Sequence, residues 1–243
     1  AGSQRHLLVD GGGGNGLLRQ LKRAGLDPCD IHDVFATHHH LDHIMGVMWL
    51  LRVWSQRMVH GSMGGEARIY AHDEVCGILR TMAQMLLNDA EKALIGERIH
   101  LVKLHDGEPL EVIGHTLVPF DIHSTKAKQF GFCLRLCGDR WLTCCGDEPL
   151  PADLYDLARD SEWLLHEAFC LRSEIEPELL ARMHHSSVAD ACTLARDVGA
   201  RNLVLYHSTD AYLPRRKERF LAEGQPVFAG NIYVPLDLDV IHI

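Results

Sequence analysis

The stretch Thr37-His38-His39-His40-Leu41-Asp42-His43 constrains this chain more than any other. It follows a short apolar run, residues 34–36, that reads as a strand, and it precedes residues 44–54, whose apolar positions have helical spacing. On an extended segment alternate residues point the same way, so His38 and His40 can grip one ion. Asp42 and His43, around the following turn, can reach a second. Four ligand-type residues within six positions are too dense for an ordinary solvated loop. The fold must therefore end a strand where several side chains turn inward.

The remaining pattern supplies the scaffold. An apolar strand at 7–10 runs into Gly11-Gly12-Gly13-Gly14-Asn15-Gly16, whose glycines permit a tight turn into a helix over 17–24. Strands are predicted at 69–71, 99–104, 110–113, 116–122, 130–136, 141–145, 163–166 and 203–206, with closing strands near Val227 and over 232–240. A helix is predicted over 74–87. The clearest helix spans 188–198, because Val188, Ala191, Cys192, Ala195 and Val198 share a face, and Ser187 with Asp190 makes a capping-box start. Strands in runs, with helices between and after them, fit sheet-on-sheet packing under outer helices. The expected class is α/β (α+β), one domain over 1–243 whose halves, about 1–124 and 125–243, meet near 124–129. Six of the seven methionines lie between Met45 and Met85, beside Trp49 and Trp54. That stripe, densest over 45–63, reads as core, with a homodimer face as the alternative.

Composition narrows the partners. The 33 acidic residues against 24 Lys plus Arg give a net charge of −9, the wrong sign for generic attraction to phosphate backbones. Nucleic acid would need a local patch, and Lys126 with Lys128, or the run Arg215, Arg216, Lys217 and Arg219, are the candidates. Eight cysteines without a C-x-x-C pair read as reduced core residues. No apolar run reaches the roughly 18 to 20 residues of a membrane span, and no secretory pattern opens the chain. A soluble cytoplasmic protein is expected.

The pattern H-x-H-x-D-H at His38, His40, Asp42 and His43 resembles the metallo-β-lactamase fold superfamily. The likeness extends downstream in that family's order through Asp121-Ile122-His123-Ser124, Cys145-Gly146-Asp147 and Leu205-Tyr206-His207-Ser208. A narrower resemblance is to the ribonuclease Z branch, which processes the 3′ end of tRNA precursors. Leu165-His166-Glu167-Ala168-Phe169 looks like its H-E-A-T segment, with Phe169 in place of Thr, and His185-Ser186-Ser187 is similar to its later histidine-led segment. The resemblance implies a four-layer αββα sandwich and two divalent metal ions, zinc expected with manganese or iron as alternatives, sharing a bridging hydroxide. It implies that His38, His40 and His123 hold one ion, Asp42, His43 and His207 the other, with Asp147 bridging. It also implies that His185 is the proton donor, oriented by Glu167, so that Asp42, His185 and Glu167 carry the catalysis. His39 is expected to face away from the metals and His166 to be structural.

Two departures bear on substrate. Ribonuclease Z enzymes of the tRNA-processing type usually carry an inserted, flexible arm for tRNA between the positions matching His123 and Asp147, whereas only 23 residues separate them here. The family also has a strand or hairpin before the position of Leu7, which suggests a trimmed chain. Glu148, where the branch often has threonine, is expected to alter the surroundings of the ligands more than the ligation. The expected activity is a metal-dependent hydrolase, a phosphodiesterase acting on a small or short phosphodiester. The alternatives are a ribonuclease on tRNA precursors, a lactonase or thioesterase using the same metals, and a metal-binding protein without turnover.

Overall fold

The computed structural model describes residues 5–243, so the first four residues of the expected domain lie outside it. The chain forms two units, one running up to Gly114 and including Thr125–Phe130, the other made of His115–Ser124 and Gly131–Ile243. They hold two β-sheets and, among the described residues, eight α-helices, a mixed α/β architecture.

In the first unit, apolar runs alternate with amphipathic helices, and the outcome is a parallel sheet. Strands β1 (His6–Val9), β2 (Ile31–Phe35), β3 (Ala67–Ala71) and β4 (Ile99–Lys103) lie side by side in sequence order. Leu8 pairs with Val34, Val34 with Ile69 and Ile69 with Leu101. Helices α1 (Gly16–Arg23), α2 (Leu41–Val59), α3 (Asp73–Leu86) and α4 (Asp89–Lys92) lie between the strands. Val34, Ile69 and Ile99 are fully buried with Val47, Leu50, Leu51 and Trp54 of α2 and Leu79 of α3. Each such side chain contributes about 1.5–3 kcal/mol. Met48, Met58 and Met63 belong to the same core, whereas Trp49 and Met85 are exposed. Parallel strands put every strand-to-helix loop at one edge of the sheet, the place where open α/β sheets build ligand sites. That edge receives Asp10 after β1, residues 37–43 after β2 and His72 after β3.

The strand β5 (Leu110–Val112) and the turn at Ile113 and Gly114, both in left-handed backbone, lead into the second unit. There β6 (His115–Asp121), β7 (Phe130–Arg135), β8 (Trp141–Cys144), β9 (Trp163–Glu167), β10 (Asn202–Tyr206) and β11 (Asn231–Tyr233) form a sheet in the order β11-β10-β9-β8-β7-β6. β7 is antiparallel to β8, while β8 to β11 are mutually parallel, with Tyr206 opposite Glu167. The helices here are α5 (Tyr155–Ala158), α6 (Pro177–Met183), α7 (Val188–Asp197) and α8 (Arg216–Gly224). On α7 the predicted face is buried throughout, and Ser187 and Asp190 cap each other. The late basic run lies on and before α8, where Arg215 pairs with Glu218, Arg216 with Asp210 and Arg219 with Glu174.

The closing strands are shorter than expected. Val227 is in no strand and β11 stops at Tyr233, because Pro235 has no N–H for a ladder and Leu238 sits at φ 70°. No helix among the described residues is long and apolar enough to cross a membrane.

Candidate metal centre

In the first unit the donors are set by the way the glycine loop meets α2. The Gly11 N–H donates to the His43 carbonyl (2.8 Å) and the Gly46 N–H to the Gly12 carbonyl (2.9 Å). A Cβ on Gly46 would overlap the Gly11 carbonyl oxygen, and one on Gly11 would overlap the Val47 nitrogen. These two glycines let backbone touch backbone and so bring Asp10 against the first turn of α2.

Asp10 then binds three groups. Its Oδ1 accepts from the Thr37 N–H (2.8 Å), and its Oδ2 accepts from the Thr37 hydroxyl (2.7 Å) and faces His43 Nδ1 (2.7 Å). The other His43 nitrogen, Nε2, lies 3.5 Å from Asp42 Oδ2. His38 Nδ1 is 2.9 Å from the Thr37 hydroxyl, and its Nε2 is 2.9 Å from His40 Nδ1. Thr37 and Asp10 thus orient the imidazoles from behind. His38 and His40 converge through one pair of nitrogens, and His43 and Asp42 through a separate nitrogen and oxygen. Asp10, His38 and His43 form one group whose donor atoms lie within 4.8 Å of one another. His39 turns aside, its Nδ1 3.8 Å from Glu74 Oε2. His72 is fully buried, and burial together with the Lys128 charge pushes its pKa below the ordinary imidazole range.

In the second unit a parallel set of strand ends delivers Asp147, Glu167 and His207. His207 Nδ1 lies 2.6 Å from Asp147 Oδ1, and the donor atoms of Asp147, His185 and His207 lie within 4.8 Å of one another. The Tyr206 hydroxyl donates to the carbonyl of Gly146, which fixes the turn that carries Asp147, and burial holds that phenol far above its usual pKa. Glu167 is fully buried. Its Oε1 accepts from the Ser186 N–H and its Oε2 is 3.5 Å from His185 Nδ1. The His185 ring stacks on Phe169, with centroids 4.9 Å apart and planes 11° apart, and lies 5.5 Å from the His207 ring. His166 is structural: its Nδ1 faces the Glu167 carbonyl (2.7 Å) and its Nε2 accepts from the Leu150 N–H (3.3 Å). Glu148 is buried, where it accepts from the Ser124 hydroxyl (2.7 Å) and faces His184 Nδ1 (3.4 Å).

Not every predicted residue joins a cluster. His123 is a half-exposed residue in left-handed backbone (φ 59°), with its Nδ1 3.5 Å from Asp153 Oδ2. Asp10 was not marked as chemical by its sequence. The signal for it was its place at a strand end immediately before the glycines. Imidazoles held by carboxylate and hydroxyl partners, beside further carboxylates, are the donors that divalent ions of the zinc and manganese type take. The residues of each unit fit such ions.

Comparisons with known proteins give the family. The model of the family described as Beta-lactamase superfamily domain matches residues 5–208. Ribonuclease Z of Pyrobaculum neutrophilum is 26% identical over 255 residues, covering 94% of this chain and 85% of the relative. Among solved structures, the metallo-beta-lactamase fold protein YhfI from Bacillus subtilis aligns with a TM-score of 0.73 at 18% identity, over 95% of this chain and 85% of that one. The short form of human tRNase Z aligns with a TM-score of 0.72 at 19% identity, over 98% and 88%. The fold is therefore that of the metallo-β-lactamases, and the chain belongs to the Beta-lactamase superfamily domain family, as a ribonuclease Z-like, metal-dependent hydrolase.

Proposed function

We propose that the chain is a dinuclear-metal phosphodiesterase. His38, His40 and His123 would hold one ion, Asp42, His43 and His207 the other, and Asp147 would bridge them, with zinc the expected metal. The observation that carries this reading is the Glu167 and His185 pair beside Asp147 and His207. Hydrolysis at a carbonyl does not need a dedicated acid for a poor alkoxide leaving group as acutely as a phosphodiester does.

When bound, the metal pair supplies a nucleophilic water at neutral pH and neutralises charge on the phosphoryl oxygens. The protein supplies the proton. Glu167 is locked by the Ser186 N–H and faces His185 Nδ1, so Nε2 is the nitrogen left to serve the leaving oxygen. Phe169 fixes the plane of the ring. As the bond from phosphorus to the leaving oxygen breaks and a water oxygen joins phosphorus, the His185 proton passes to the departing alcohol. His185 leaves the step neutral and is reprotonated by the proton that the water releases. Glu167 stabilises its charged form between turnovers.

The favoured substrate is a small or short phosphodiester. Between His123 and Asp147 the chain makes only β7, β8 and a tight connection closed by the Leu136 N–H to the Arg140 carbonyl (2.9 Å), with no inserted arm. A ribonuclease acting on tRNA precursors is the second reading, favoured by the relatives named Ribonuclease Z. The proposed compartment is the cytoplasm, supported by eight free thiols, and the proposed assembly a homodimer, supported by the exposed Leu41 and Trp49 on α2.

A substrate panel with defined metals tests the proposal. Phosphodiesters, a short RNA carrying a 3′ extension among them, should be cleaved. Opening of lactones or thioesters with phosphodiesters untouched would overturn it.

A further inference from the structure

His185 does not only face the cluster around Asp147. It also lines a cavity of about 480 Å³ within the second unit, a volume in the range of small-molecule sites. The walls are apolar, built by Pro149, Ile175, Pro177, Leu180 and Ala181. Besides His185 its charged groups are Arg172 and Asp190, whose side chains pair with each other. Burial pushes the Asp190 carboxyl up, but the Ser187 hydroxyl and N–H and the Arg172 guanidinium outweigh it, and Asp190 stays ionised. The segments that carry Arg172 and Asp190 are tied down by their neighbours. The Arg172 and Ala189 N–H groups donate to Glu223 (3.0–3.1 Å), and Arg219 pairs with Glu174.

We propose that this cavity is the leaving-group subsite, and that it selects phosphodiesters whose leaving alcohol is bulky, ring-bearing and uncharged. The inference rests on the assignment of His185 as proton donor. A group that receives its proton from His185 has to lie against that side chain, and the cavity is the space His185 lines. A methyl or ethyl leaving group would leave most of 480 Å³ to water against apolar walls. A second phosphate or a carboxylate would find Arg172 already paired with Asp190 and His185 already facing Glu167, and would lose hydration without return. The subsite is made of protein alone, so the leaving alcohol should bind the metal-free chain.

The test uses the full chain without metal, with adenosine and 4-nitrobenzyl alcohol as uncharged probes, 4-nitrobenzoate as the anionic one, and saturation-transfer NMR as the readout. At least one uncharged probe should bind tenfold or more tightly than the anion. Adenosine alone would identify a nucleoside leaving group, and 4-nitrobenzyl alcohol alone an arylmethyl one. Ala181 is exposed on α6, so Ala181→Trp fills the cavity without disturbing the core. It should abolish probe binding, and in the metal-loaded protein raise KM for a phosphodiester of the bound alcohol at least tenfold, while Ala181→Ser changes neither. Equal binding of neutral and anionic probes, or undiminished binding in Ala181→Trp, would overturn the subsite. Probe binding intact with no phosphodiester cleaved by wild type would instead overturn the phosphodiesterase reading, and with it the identity of the occupant.

Discussion

Asp10 Oδ2 lies 2.7 Å from His43 Nδ1 while the same carboxylate receives both the N–H and the hydroxyl of Thr37. One side chain from the loop after β1 therefore sets the direction of His43 and, through Thr37, of His38. Removing such a partner behind a metal-ligating histidine costs roughly 10- to 100-fold in affinity. Asp10→Ala is expected to weaken metal binding by that factor in a calorimetric titration while the protein stays folded by circular dichroism. Affinity unchanged from wild type would show that Asp10 does not orient the ligands.

His40 and His185 are expected to separate by role. His40→Ala should lose metal and activity together. His185→Ala should keep its metal and lower turnover of a phosphodiester with an alkyl leaving group by roughly 10²- to 10⁴-fold, the usual contribution of a general acid. Metal content by atomic emission alongside kcat decides it, and equal metal loss in both variants would end this division of labour.

The two glycines where the loop meets α2 give a prediction about folding. Gly46→Ala drives a methyl group into the Gly11 carbonyl, a backbone contact that no rotamer relieves. It should destabilise by about 3 kcal/mol or more, at the upper end of overpacking costs. Gly77 in α3 has open space around it, so Gly77→Ala should instead stabilise by up to about 1 kcal/mol through helix propensity. Urea unfolding of the two variants measures both signs, and equal midpoints would contradict the packing argument.

The contrast between Gly46 and Gly77 also shows what was legible in the sequence. Periodicity and apolar runs mark α7 and the strands β2, β3, β9 and β10 because most of their apolar side chains are buried, and such side chains dictate local structure. The start of α2 was less visible. Asp42 and His43 sit in its first turn rather than before it, since His40 caps the helix through its backbone with no side-chain cap to mark the boundary. The predicted last strand overruns β11 because apolar residues around Pro235 imitate a strand that Pro235 cannot join. The dense motif from His38 to His43 marks the candidate donors of the first unit, and the family resemblance points to Asp147, His185 and His207, whose donor atoms the second unit brings within 4.8 Å of one another. Asp10 stayed hidden because its role depends on a backbone approach between Gly11 and Gly46, a contact between distant segments that no local pattern encodes.

The buried thiols predict alkaline sensitivity. Burial raises Cys76, Cys133 and Cys170 to about 11 and Cys192 to about 12, against roughly 8.5 in an unfolded chain. Between those values the unfolded state has lost protons that the native state keeps. Stability is therefore full below about pH 8.5 and falls as pH rises toward 11. Thermal melts at pH 8 and 10.5 should show a lower Tm at the higher pH, and Cys192→Ala should reduce the difference. A Tm that holds constant would contradict the assignment of these thiols to the core.

Two metal ions per chain are expected to be what makes this chain a phosphodiesterase. Stepwise addition of zinc to metal-free protein, with hydrolysis of bis(4-nitrophenyl) phosphate followed at each step, tests it most directly. Turnover should rise to a plateau at two ions per chain, with no plateau in His40→Ala. Saturation at two ions with no phosphodiester cleaved, or a plateau reached at a single ion, would contradict it.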